Sequence, residues 1–228
     1  MRTADGFKKA VDSFYEAIRI EPVYARAYAG LADSFALMGD CEYGILEPRE
    51  AFRRAKTAAA KAIELDGTLG EAHTSLAFVL DSYDWDWAAA QREYQRAIEL
   101  NPGYATAHHW YSWRLVVTGR TAQAIGEMRK AENLDPLSLI IGSDMADVLV
   151  IARRYDEAIK QSRQIINMDS HFAVAHYQLG QAMTQKRLYS DAIAELQRAI
   201  ELSCDNSVCT SNLAYVMEYR AGEKRLAR

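Results

Sequence analysis

A residue pattern that returns every 34 positions constrains this chain more than any other feature, because a fixed period of that length implies a stack of like units. The pattern has two halves. In the first, a slot that is most often aromatic or bulky is followed by an apolar residue three places on, a small one next to it, and another apolar one three later. The copies are Tyr28/Leu31/Ala32/Phe35, His73/Leu76/Ala77/Leu80, His108/Tyr111/Ser112/Leu115, Gly142/Met145/Ala146/Leu149, His176/Leu179/Gly180/Met183 and Thr210/Leu213/Ala214/Met217. From Leu31 to Leu213 the spacings are 45, 35, 34, 34 and 34. The second half places a small residue, a larger one four later and a small one after three more. Its copies are Ala10/Phe14/Ala17, Ala55/Ala59/Ala62, Ala90/Tyr94/Ala97, Ala124/Met128/Ala131, Ala158/Ser162/Ile165 and Ala192/Leu196/Ala199.

Apolar positions at i, i+3, i+4 and i+7 predict amphipathic helices, and both halves have that spacing. Runs such as Glu64-Leu65-Asp66, Glu99-Leu100-Asn101-Pro102 and Asn133-Leu134-Asp135-Pro136 end a helix, and proline can open the next. Only four prolines and twelve glycines occur, which suits helices better than an all-β fold. Each helical hairpin buries its second face only against its neighbours.

The period and the residue slots together resemble the tetratricopeptide repeat, over nearly all of residues 7–220. The resemblance implies an all-α, right-handed superhelical solenoid of antiparallel hairpins. Five complete repeats are expected at about 25–69, 70–104, 105–138, 139–172 and 173–206, with partial ones at 5–24 and 207–228. The helix around Phe7, Val11, Phe14 and Ile18 is a second-type helix without its partner; the one around Leu213 and Met217 is a first-type helix whose partner barely begins at Glu223. The chain thus reads as part of a longer protein. More specific strings are Asp84-Trp85-Asp86-Trp87, the run from Asn101 to Tyr111, Leu134-Asp135-Pro136-Leu137-Ser138 and Tyr28-Ala29-Gly30-Leu31-Ala32-Asp33-Ser34. They look like repeat blocks attached to bacterial winged-helix regulators, class III adenylate cyclases and serine/threonine kinases. That likeness implies a regulatory, partner-binding segment, and it leaves the effector domain open.

In such a solenoid the first-type helices line a concave wall. Helical spacing puts Phe78, Thr106, His109, Trp110, Trp113, Asp144, Asp147, Tyr177, Gln178 and Gln181 on it, and these form the expected partner-binding groove. Aromatic residues beside carboxylates predict a protein or peptide partner with apolar and basic side chains. The competing reading has Trp110 or Trp113 packed between repeats. Only Arg26 among the wall positions is basic, which argues against the cationic clamp that some relatives use to grip a terminal carboxylate.

Several functions are disfavoured. A net charge of −4 gives no basic footprint for nucleic acid. Three cysteines do not make a disulfide framework: Cys209 takes a slot held elsewhere by alanine, and Cys41 lies in a loop. His73, His108 and His176 occupy the aromatic slot, so no metal site is expected. No catalytic residues and no cofactor are predicted, and neither a signal peptide nor a membrane span is legible, so a cytoplasmic location is expected. Self-association through ends exposing Phe7, Val11, Phe14 and the Leu213/Met217 helix, giving a homodimer, remains an alternative. Three local expectations complete the picture. Glu47-Pro48 starts a helix running to about Leu65, behind a loop whose Tyr43, Ile45 and Leu46 pack back on the solenoid. Asp84 and Asp86 cap the helix near Trp87. Trp85 and Trp87 pack at the hairpin tip.

Overall fold

The computed structural model describes residues 4–40, 44–203 and 207–226. Among the described residues there are twelve helices and no strand. In chain order they are α1 (Ala4–Ile20), α2 (Ala25–Gly39), α3 (Pro48–Leu65), α4 (Gly70–Ser82), α5 (Trp87–Leu100), α6 (Ala105–Val117), α7 (Thr121–Leu134), α8 (Leu139–Ile151), α9 (Tyr155–Met168), α10 (Ala173–Gln185), α11 (Tyr189–Ser203) and α12 (Ser207–Leu226). Even-numbered helices carry the first half of the repeated pattern and odd-numbered ones the second, so the all-α helical-repeat fold is as the period predicts. The chain forms two compact units, Met1–Arg114 and Leu115–Arg228.

The small slots are where helices meet. Ala32, Ala55, Ala59, Ala62, Ala77, Ala90 and Ala97 are fully buried in unit 1, and Ala124, Ala131, Ala146, Ala158, Ala192 and Ala199 in unit 2. Gly39 sits so close to α3 that a Cβ there would lie 2.6 Å from the Cβ of Ala51. Gly70 lies against backbone instead, since its Cβ would meet the Ala97 carbonyl oxygen at 2.8 Å. Larger residues fill what remains: Phe7, Leu31, Phe35, Phe52 and Val79 form one continuous core in unit 1.

The long connection before α3 behaves as its sequence suggests. The amides of Ile45 and Leu46 donate to the Met38 carbonyl at 3.2 and 3.0 Å, and both side chains pack on the unit 1 core. Tyr43 and Cys41 lie outside the described residues. Glu47 caps α3 by accepting from the Glu50 amide at 2.9 Å, with Pro48 in the first turn. The helix has 18 residues against 14 in α5, α7 and α9, about one turn more.

Four expectations are corrected. Phe7 is buried, and Val11, Phe14 and Ile18 pack on the same core, because α1 lays its apolar stripe against α2; its exposed apolar residues are Tyr15 and Ile20. α12 runs unbroken to Leu226, so no second-type helix begins at Glu223. Only Asp86 caps α5, accepting from the Ala89 amide at 3.0 Å; Asp84 instead pairs with Lys56 on α3 at 2.5 Å. Trp85 and Trp87 do not pack at the tip. They are 72% and 54% exposed, Trp85 has a φ of 57°, and the Trp87 ring lies 5.4 Å from the Arg114 guanidinium.

Candidate functional site

Helical spacing turns four positions of each even-numbered helix toward one side, and the two units use those positions differently. In unit 1 much of that side is bonded into the fold. Asp33 on α2 accepts from the Tyr104 hydroxyl at 2.9 Å and from the Ser75 hydroxyl of α4. Glu71 on α4 accepts from the Asn101 carboxamide at 3.0 Å. These bonds satisfy polar groups that would otherwise be costly to bury, and they tie neighbouring first-type helices together. The wall is therefore part of the scaffold as well as a surface.

An aromatic chain crosses the same unit. Tyr83 stacks on Phe52 at 5.1 Å, Phe52 lies 6.3 Å from Phe78, and Phe78 meets Trp110 at 4.6 Å with a 39° tilt. Trp110 is only 5% exposed and His109 only 3%. Neither presents the free face that helical spacing suggested, because each is enclosed by packing. Phe78, Thr106 and Trp113 remain half-buried and reachable.

Unit 2 presents a polar wall. Gln178 is buried and accepts from the Ser143 hydroxyl at 2.8 Å, linking α10 to α8, so it too is engaged in folding. Asp144 and Asp147 share one face of α8 and are half-buried, as are Tyr177 and Gln181 on α10. The Tyr177 hydroxyl accepts from the Asn212 carboxamide of α12 at 3.0 Å and from the Gln181 carboxamide. Burial, reinforced by the neighbouring Asp144 carboxylate, pushes the Asp147 pKa up to about 6. Burial also raises the thiol of Cys209, the small core residue expected in its slot.

The Asp147 value has a testable sign. Its folded pKa lies above the unfolded value near 3.9, so the folded state holds the proton more tightly. That contribution is complete below about pH 4 and is lost as pH rises through about 6. Asp147→Asn removes the dependence. The variant is expected to gain about 1–2 kcal/mol over the parent between pH 4 and 7.5, a figure discounted for partial exposure. Urea unfolding at the two pH values measures it; parallel curves would show that Asp147 is solvated.

The histidines do more than fill an aromatic slot. His73 is buried with Nδ1 2.6 Å from a Glu93 carboxylate oxygen and Nε2 3.2 Å from the Gly67 carbonyl. His176 repeats the arrangement with Glu195 at 2.7 Å and Ser170 at 3.2 Å. Each ring clasps the second helix of its hairpin. The sequence signal is a glutamate 20 or 19 residues after the histidine, on the facing helix. Among the described residues no group of three or more His, Cys, Asp or Glu could hold a metal ion.

Comparison with known proteins agrees with this architecture. A family profile described as "Tetratricopeptide repeat" matches residues 86–138 and 143–206. The transcriptional regulator HilA of Salmonella typhimurium is 24% identical over 140 residues, 61% of this chain and 25% of HilA. The matched stretch is thus a quarter of that relative's length. Among solved structures, the Cut9–Hcn1 hetero-tetramer of the APC/C aligns with a TM-score of 0.73 at 14% identity, over 95% of this chain and 40% of that one. YrrB, described as a repeat protein with an unusual peptide-binding site, aligns at 0.57 and 19% identity, over 89% of this chain and 98% of its own. At these identities the structural likeness is one of fold.

Proposed function

The chain belongs to the tetratricopeptide-repeat family, and on that premise we propose that its first-type helices hold a partner polypeptide with apolar and basic side chains, as the regulatory segment of a bacterial signalling protein. Repeats of this family serve as protein–protein interaction scaffolds and are typically non-catalytic. One observation carries the choice of partner: Asp147 is a half-buried carboxylate that makes no hydrogen bond or ion pair among the described residues, and the wall positions of its own unit include no basic side chain. A cation supplied by a guest is what that arrangement lacks. Within unit 1, taken by itself, Phe78 and Trp113 supply reachable aromatic surface of the kind that dominates interface energetics. Similarity to part of a transcriptional regulator supports the regulatory role. Among the described residues no helix is long and apolar enough to cross a membrane.

Selection of displayed random peptides on the full chain tests the proposal. The selected peptides are expected to combine leucine or aromatic residues with arginine or lysine. Trp113→Ala, which spares the buried Trp110, should weaken their binding about tenfold or more while the helical circular dichroism holds. An acidic consensus, or unchanged affinity in the variant, would refute the assignment.

A further inference from the structure

A cavity of about 150 Å³ opens in unit 2 beside the polar wall. Gln181, Thr184 and Gln185 of α10, Asn212 and Tyr215 of α12 and Val150 of α8 line it. Leu196 of α11, itself wholly buried, backs the cavity. The lining residues belong to three side-chain stripes, Asp144, Asp147 and Val150 at every third position of α8, Tyr177, Gln181 and Thr184 on α10, and Val208, Asn212 and Tyr215 on α12, of which Val150, Gln181, Thr184, Asn212 and Tyr215 reach the cavity.

Hydrogen bonding sets the polarity of the cavity. The amide nitrogens of Gln181 and Asn212 both donate to the Tyr177 hydroxyl. Asn212 also donates to the Val208 carbonyl at 3.0 Å, and the Thr184 hydroxyl donates to the Gly180 carbonyl at 2.7 Å. One amide N–H of Gln181, the amide of Asn212 and the Thr184 hydroxyl are thus engaged, whereas the carboxamide oxygens of Gln181 and Asn212 accept nothing among the described residues. No Lys, Arg or His lines the cavity, and the nearest charge on its α8 stripe is that of Asp147, one turn before Val150.

We propose that this cavity is an arginine subsite of the groove, in which a guanidinium from the partner polypeptide donates to the carboxamide oxygens of Gln181 and Asn212 with Asp147 as its counter-charge. The assignment rests on the groove reading above and narrows it to one side-chain chemistry. A guanidinium is planar, carries five N–H donors in a fixed fork and is weakly hydrated, so several separated acceptors suit it. An ammonium is a compact, strongly hydrated charge that would lose more water for fewer fixed bonds. A carboxylate would meet acceptors and a like charge, and a purely apolar side chain would leave the carboxamide oxygens unsatisfied.

The test uses N-acetyl-arginine amide, N-acetyl-lysine amide and the neutral isostere N-acetyl-citrulline amide. Each is titrated into the full chain while the side-chain amide signals of Gln181 and Asn212 are followed by NMR. The arginine compound should bind on the order of millimolar and about fivefold or more tighter than the other two. Asp147→Asn should cost it about fivefold, with the circular dichroism unchanged. Equal binding of citrulline overturns the charge claim, equal binding of lysine overturns the guanidinium claim, and an unaffected Asp147→Asn variant overturns the counter-charge. If the arginine compound moves neither amide while an arginine-free apolar peptide still shifts the Trp113 indole signal, the subsite falls and the groove reading stands. Silence of both probes removes both.

Discussion

Arg114→Ala is expected to destabilise the chain by about 3–5 kcal/mol, read as a shift in the urea midpoint. Arg114 is almost fully buried on α6 and bonds Asp81 of α4 at 2.8 Å, with side-chain exposures of 7% and 18%. Burial nonetheless raises the Asp81 pKa: the loss of water outweighs the stabilisation that the guanidinium gives the carboxylate. The pair is therefore a weak stabiliser whose halves depend on each other. Truncating Arg114 leaves a buried carboxylate without its cation, beside the fully buried Tyr94. The Trp87 contact adds about 0.5–1 kcal/mol at an exposed ring. Removing both charges together, as Asp81→Leu with Arg114→Met, should recover most of the loss, because apolar residues of similar volume often replace such pairs at little cost. A single-variant cost under about 1 kcal/mol would mean that water already reaches the pair.

Arg114 also marks where sequence reasoning stops. Its partner lies 33 residues earlier, and no local pattern joins them. The alternation of first- and second-type helices up to α12, by contrast, was legible, because alanine and glycine recur where one backbone approaches another. Ala51 opposite Gly39 is one such case, and Leu196 against Gly180 is another. The wall was legible in part. Spacing identifies which side of a helix a residue is on, but not whether a neighbouring helix covers it. Asp147, Tyr177 and Gln181 stayed accessible, whereas Trp110, His109 and Gln178 were taken up by packing. The two aspartates before α5 show the same limit at short range. Both have capping chemistry, and the reach of Lys56 across 28 residues decided that only Asp86 would cap.

Leu196→Ala is expected to cost about 3–4 kcal/mol, for a reason the period itself supplies. Leu196 is wholly buried on α11 and faces Gly180 of α10; a Cβ on that glycine would lie 2.7 Å from the leucine Cγ. The glycine is what lets the isobutyl group seat against the α10 backbone. Truncation therefore opens a hole beside a residue that has no side chain to move into it, which places the cost above that of a site able to collapse. Gly180→Ala in the Leu196→Ala background adds one methyl group to that space and removes a helical glycine, worth up to about 1 kcal/mol in propensity. The pair should thus recover about 1–2 kcal/mol of the loss, although Gly180→Ala alone is expected to be destabilising through overpacking. A double-mutant cycle in urea measures the coupling. Strictly additive costs would mean that Leu196 and Gly180 do not share the contact that joins this hairpin.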